Sequence, residues 1–177
     1  MTGFQSTNIV TNRNSPSAAI RIAVILATLV ALDQTVKLVM ISWLGPDAST
    51  HRWELAGRYL AFQYVENRGA AFGILEGQSA ILIVLAVAVA VGFVAMMRRE
   101  LAGNRLLQLA LTLIGAGAIG NLADRIRLGY VVDFISVGDF PKFNMADSYI
   151  TIAVIVIAWT SFSQPGTDVG DKDQPID

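Results

Sequence analysis

GAIGNLADRIRLGYVVDFISVGDFPKFNMADSY, residues 117–149, begins inside one apolar run and ends inside another. Between those runs it holds Asn121, Asp124, Arg125, Asp133, Asp139, Asn144 and Asp147. Hydrocarbon does not tolerate such a density of ionisable and amide groups without cause, and charges at membrane depth mark function by default.

Composition says that the depth in question is a bilayer. The chain has 177 residues, 54% hydrophobic and 15% charged, with a mean hydropathy of +0.54. A soluble domain carries about 25% charged residues. A net charge of −1 offers no electrostatic case for nucleic acid. With no cysteine there is no disulfide, thiolate site or cysteine nucleophile. His51 stands alone and no HExxH occurs, so neither a metal nor a cofactor is expected.

Working outward, four apolar runs reach the ~20 residues that a span needs: about 22–44, 79–97, 106–128 and 144–162. The expected fold is an all-α integral membrane protein, with a small extracytoplasmic β-containing segment between its first two helices. Arg21 to Ala31 also resembles a signal-peptide core, but the apolar run continues beyond Ala31 through LVMISWL. Residues 20–163 read as a single membrane domain, between a polar lead at 1–19 and an acidic tail at 164–177 that are both expected to be disordered.

Inside the first span, Asp33 and Lys37 stand at i and i+4, on one helix face with the acid leading. Paired, they offset charges that would each cost about 2.5–3.5 kcal/mol alone at mid-membrane. The connection at 46–66 carries RYLAFQYV, residues 58–65, in which Leu60, Phe62 and Tyr64 alternate as in a strand. Asn67 and Gly69 then supply a turn signal. In the third span Ala116, Gly120 and Asp124 share one line, and Gly117, Asn121 and Arg125 another, so close helix approach is permitted where polarity begins. Gly129 suits a helix C-terminus.

Four spans place both termini on one side. Six basic residues fall on each side, but the dense short loop RRELAGNR favours termini inside and the polar stretch near the outer face.

That topology brings Asp133 and Asp147 to the same face. Two aspartates a few ångströms apart in a partly dry site share one proton, which provides a base and an acid together. Amide hydrolysis without a metal needs such a pair. Spacing leaves other readings open. Asn144 and Asp147 also fit a capping box, and Asp133 also suits an ion pair with Arg125 or Arg127. Asp33, Lys37, Asp124 and Asp133 can be read as the relay of a proton-coupled transporter or assembly subunit. Ser136 or Ser148 with Lys142 is a weaker serine–lysine alternative.

GAIGNLADRIRLGYVVDFI followed by FNMADSYI, with NRGAAFGIL upstream and D-x-x-x-K in the first span, resembles the lipoprotein signal peptidases, the type II signal peptidases of bacteria. The resemblance runs from the first span to the start of the fourth. It implies a multi-pass aspartic endopeptidase of the cytoplasmic (inner) membrane, with membrane lipid around it. Such an enzyme removes the signal peptide from diacylglyceryl-prolipoproteins, before the lipidated cysteine, and is expected to act as a monomer. Carried over, Asp133 and Asp147 are the catalytic pair. Asn67, Gly69, Gly117, Asn121, Asp124, Arg125, Asn144 and Ala146 support the pair or bind substrate, and Asp33 with Lys37 is the structural charged pair. Any role for His51, Trp53 or Glu54 in gripping substrate stays open.

Overall fold

The computed structural model describes residues 16–48, 51–69, 75, 77–100 and 103–162. Its elements, in chain order, are α1 (Pro16–Leu44), β1 (Arg52–Ala56), β2 (Leu60–Asn67), α2 (Ser79–Glu100), α3 (Arg105–Leu128), β3 (Val131–Val137) and α4 (Met145–Phe162). All four helices are long and apolar enough to cross a membrane.

Helix α1 begins at Pro16, so residues 16–19, expected in a disordered lead, are helical. Proline is tolerated in a first turn because its missing N–H has no intrahelical partner there. Residues 1–15, 49–50, 70–74, 76, 101–102 and 163–177 lie outside the described residues, and with them the rest of the polar lead and the acidic tail. At its far end α1 stops where Gly45 N–H bonds to Ile41 O at 2.9 Å and Pro46 follows.

Helix α3 is the centre of the bundle. Half of its span is buried, against 17% for each of the others, and it packs on α1, α2 and α4. Small residues make this possible. A Cβ at Gly115 would stand 2.8 Å from the Phe93 ring of α2, and one at Gly117 would strike the Ala146 carbonyl of α4. One at Gly120 would stand 2.6 Å from Asp33 Oδ2 of α1. Asn104 caps the start of α3, accepting from Leu106 N–H at 2.8 Å. Gly129 ends it in the left-handed region at φ 82°, with its N–H on Arg125 O. The outward faces of α2 and α4 present Val84, Val91, Ile155 and Trp159 to the surroundings, as lipid-facing walls do.

The small sheet expected between the first two helices forms: the alternating stretch is β2, paired in a hairpin with β1 through Gly57 at φ 53°. A third antiparallel strand, β3, comes from the connection between α3 and α4, giving the order β1-β2-β3. The β structure is therefore not confined to the segment between the first two helices. YVVDFI reads as a short apolar connection because its run is almost continuous; β3 is buried at four successive residues, Val131 to Phe134, and shows no alternation. Phe134 packs with Met40 and Leu44 of α1, so the sheet is anchored on the bundle. Trp43, Trp53 and Phe62 extend that contact, the two tryptophan rings 5.1 Å apart.

Candidate active site

Strand pairing brings the first carboxylate into place. Asp133 lies opposite Val65 in the β2–β3 ladder, which puts Asn67, two residues further along β2, on the same face. Asn67 Nδ2 donates to Asp133 Oδ2 at 2.8 Å. Asn67 Oδ1 accepts from the Gly69 N–H at 3.0 Å, a short turn that holds the amide.

The second carboxylate comes from the first turn of α4. Asn144 N–H donates to Asp147 Oδ2 at 3.1 Å, and Asp147 N–H donates to Asn144 Oδ1 at 3.1 Å, the reciprocal bonds of a capping box. The remaining Asn144 donor, Nδ2, reaches Asp133 Oδ1 at 2.8 Å and Asn121 Oδ1 at 3.1 Å. One residue, through its backbone and its side chain, thus caps the helix and links both aspartates.

Donor and acceptor types fix which way the amides turn. Lys37 has donors only, and its Nζ points at Asn121 Oδ1 at 3.0 Å. Asn121 must therefore turn its NH2 away, and Nδ2 donates to Asp147 Oδ1 at 2.8 Å. Each of the four carboxylate oxygens of Asp133 and Asp147 accepts a hydrogen bond.

Behind these residues lies a buried ion cluster. Lys37 Nζ is 3.0 Å from Asp33 and 2.9 Å from Asp124, all three fully buried. With Asn121, the three N–H donors of the ammonium are satisfied. Arg127, half-exposed, stands 3.6 Å from Asp124 and brings the cluster to neutrality. The pair expected within α1 forms, and Asp124 extends it into a cluster joining α1 to α3. Asp33 also accepts from Ala146 N–H at 3.1 Å, and Asp124 from Val132 N–H at 3.2 Å, so α4 and β3 are tied to the same charges. Asp124 bonds to neither Asp133 nor Asp147; it meets Lys37 and the β3 backbone instead.

Gln34, absent from the residues singled out by sequence, donates to Asp33, Gly120 O and Asp124 at 3.1–3.2 Å. Its signal was a polar neighbour of Asp33 within an apolar run. Arg125 donates to Gly69 O at 3.1 Å and Asn121 O at 3.4 Å, pinning the segment after β2 onto α3. Neither Arg125 nor Arg127 forms an ion pair with Asp133. Ser148 donates to Asn144 O at 3.0 Å, Ser136 is buried on β3, and neither is bonded to Lys142. Away from this centre, His51 faces Leu44 O, Glu54 pairs with Arg52, and Trp53 stacks in the aromatic group.

A cavity of about 580 Å³ opens beside the pair, within the ~300–1,000 Å³ usual for ligand sites. Asn67, Asn121, Arg125, Lys142 and Asp147 belong to its polar wall, and Phe140 and Ile152 to its apolar one. Asp147 faces this space, whereas Asp133 is 1% exposed and lies behind its two amides. Burial, helped by the charge of Asp147, pushes the Asp133 carboxyl up to about 7. The Asn67 and Asn144 amides and Lys37 act in the opposite direction.

Fold and site together define a polytopic membrane enzyme, a four-helix bundle with two linked carboxylates beside a cavity at one end. The model of the Signal peptidase (SPase) II family matches residues 25–163. The chain is 41% identical over 144 residues to the lipoprotein signal peptidase of Caldanaerobacter subterraneus subsp. tengcongensis, covering 81% of this chain and 97% of that one. It is 39% identical to that of Moorella thermoacetica, covering 76% and 89%. A bacterial membrane enzyme solved by the in meso method superposes with a TM-score of 0.74 at 30% identity, over 89% of this chain and 94% of the other. The chain belongs to the signal peptidase II family.

Proposed function

We propose that this protein is an aspartic endopeptidase that removes the signal peptide from diacylglyceryl-modified prolipoproteins, cutting just before the lipidated cysteine. The observation that carries the reading is the Asn144 bridge, which holds Asp133 and Asp147 in one hydrogen-bonded unit beside a cavity of about 580 Å³. Family membership supports the substrate class.

In this reading Asp133 carries the shared proton near neutrality and Asp147, facing the cavity, is the base. Water attacks the scissile carbonyl carbon while Asp147 takes its proton. Asp133 donates to the carbonyl oxygen, and as the C–N bond breaks a proton passes to the leaving nitrogen of the cysteine. The products are a free cysteine amine and the carboxyl end of the signal peptide. Asn67, Asn121 and Asn144 orient the two acids. Gly69, Gly117 and Ala146 allow the close backbone approach that positions them, and Arg125 holds the rim. Asp33, Lys37 and Asp124 brace the helices below.

In the same reading the enzyme is a monomer, one membrane domain over residues 20–163, in the bacterial cytoplasmic membrane with the termini inside and the acids near the outer face. A transport relay needs ionisable groups spread through the membrane depth; here Asp33, Lys37, Asp124, Asp133 and Asp147 are gathered in one region, which favours hydrolysis. The test is cleavage of a synthetic diacylglyceryl prolipopeptide by the protein in lipid micelles. Asp133→Asn and Asp147→Asn should each reduce turnover by about 10²–10⁴-fold while the protein still inserts. Turnover by either variant at the wild-type rate would overturn the assignment.

A further inference from the structure

The opposite end of the bundle has a cavity of its own. It measures about 170 Å³ and lies between α1 and α3, lined by Arg21, Ile22, Ile25, Arg105, Gln108 and Leu109 among others. That is more than five water volumes at roughly 30 Å³ each. Arg105 precedes Asp124 by 19 residues on the same helix, which is roughly 29 Å at 1.5 Å per residue and close to one ~30 Å hydrocarbon thickness. The cavity therefore sits at the headgroup level of the leaflet away from the two acids.

Its chemistry is uneven. Arg21 donates to Oε1 of buried Gln108 at 3.3 Å, a neutral partner, and among the described residues no carboxylate lies within ion-pair distance of Arg21 or Arg105. Arg98 and Arg99, in the last turn of α2, add two cations in the chain just before α3. Ile22, Ile25 and Leu109 form an apolar wall next to this positive rim. A guanidinium fork matches phosphate oxygens in pairs, and basic pockets between transmembrane helices suit anionic headgroups.

We propose that this cavity binds an anionic phospholipid of that leaflet, its phosphate between Arg21 and Arg105 and the start of an acyl chain along Ile22, Ile25 and Leu109. An amphiphile uses both walls; free phosphate uses only the rim. The site lies outside the peptidase machinery and does not depend on it.

The experiment is native mass spectrometry of the full chain released from neutral detergent after titration with dioleoylphosphatidylglycerol or dioleoylphosphatidylcholine. One phosphatidylglycerol should be retained at about tenfold lower concentration than phosphatidylcholine. Arg21→Gln combined with Arg105→Gln should abolish that preference, and Ile25→Trp, which fills the cavity and keeps both arginines, should do so too. Prolipopeptide cleavage, unchanged in both variants, reports that they are folded. Equal retention of the two lipids by the wild type, or an undiminished preference in either variant, overturns the proposal. Displacement of the lipid by millimolar inorganic phosphate would make free phosphate the ligand and overturn it as well. So would a tenfold gain in lipid affinity on deleting residues 163–177, which would make the acidic tail the resident occupant.

Discussion

Asn144 and Asp147 hold each other twice, Asn144 N–H on Asp147 Oδ2 and Asp147 N–H on Asn144 Oδ1, both at 3.1 Å. The capping role and the bridging role of Asn144 are separable, because only the side-chain NH2 reaches Asp133. Asn144→Ser keeps an oxygen able to cap α4, so the melting midpoint should move little, while Asn144→Ala should cost about 1 kcal/mol of stability. Both should lower turnover by about 10²-fold or more, since both unlink the acids. Retained activity in the serine variant would show that the bridge to Asp133 is dispensable.

In the proposed mechanism the ionisation of Asp133 should set an alkaline limit on activity. Its carboxyl, raised by burial and by the charge of Asp147, titrates at about 7, so at higher pH the acid of the pair is lost and turnover should fall through that value. Asn67 favours the ionised form. Removing it in Asn67→Ala should raise the Asp133 pKa and move the falling limb to higher pH, even as the maximal rate drops. A limb that moves to lower pH in the prolipopeptide assay would contradict the geometry.

The same shift has a sign for stability. Since the folded carboxyl titrates at about 7 and an unfolded aspartate at about 3.9, the unfolded chain ionises first as pH rises. Folding stability should therefore decline between those values and level off above them, to the extent that Asp133 governs it. Midpoints of unfolding measured in micelles across that window provide the check.

Lys37 pairs with two buried acids, so its loss should be felt first in stability. Lys37→Met leaves Asp33 and Asp124 buried with only the half-exposed Arg127 nearby, which should cost about 3–5 kcal/mol. It also frees Asn121 to rotate away from Asp147. An unchanged unfolding midpoint would mean that another cation compensates the cluster.

At Gly117, α3 lies close against α4. The methyl of Gly117→Ala would strike the Ala146 carbonyl and press on Ile150, and α4 carries Asp147 in its first turn. About 1–3 kcal/mol of destabilisation is expected, with a larger fractional loss of turnover than the same destabilisation placed at the lipid-facing Gly92, where a Cβ meets nothing within 4 Å. Comparing the two alanine variants in parallel unfolding and cleavage assays isolates the contact.

Some of this molecule follows from chain order alone. Four apolar runs of about 20 residues have no alternative but to span a bilayer as helices, because unpaired backbone groups are too costly in hydrocarbon. Asp33 and Lys37 share a face by helical period alone, and the small residues at 116, 117 and 120 announce close helix contact. The local pattern NMAD was also enough to raise the capping box that Asn144 and Asp147 form.

Other features depend on partners far away in the chain. The third strand was hidden because YVVDFI, buried on both sides, has no two-residue period to read. Asp124 looks by spacing like a companion of Asn121 and Arg125, yet its charge is spent on Lys37, 87 positions away. Gln34 carries no motif at all; three acceptors on two helices give it a role. Periodicity reports which face of a helix or strand is apolar, and so the sequence by itself determined the spans and the polar blocks. Only the tertiary structure decided which donor meets which acceptor, because α1, β2, β3, α3 and the start of α4 each contribute one side of those bonds. A hydrogen bond depends on both ends at once, and for Asn67 with Asp133 and Lys37 with Asn121 those ends lie 66 and 84 positions apart.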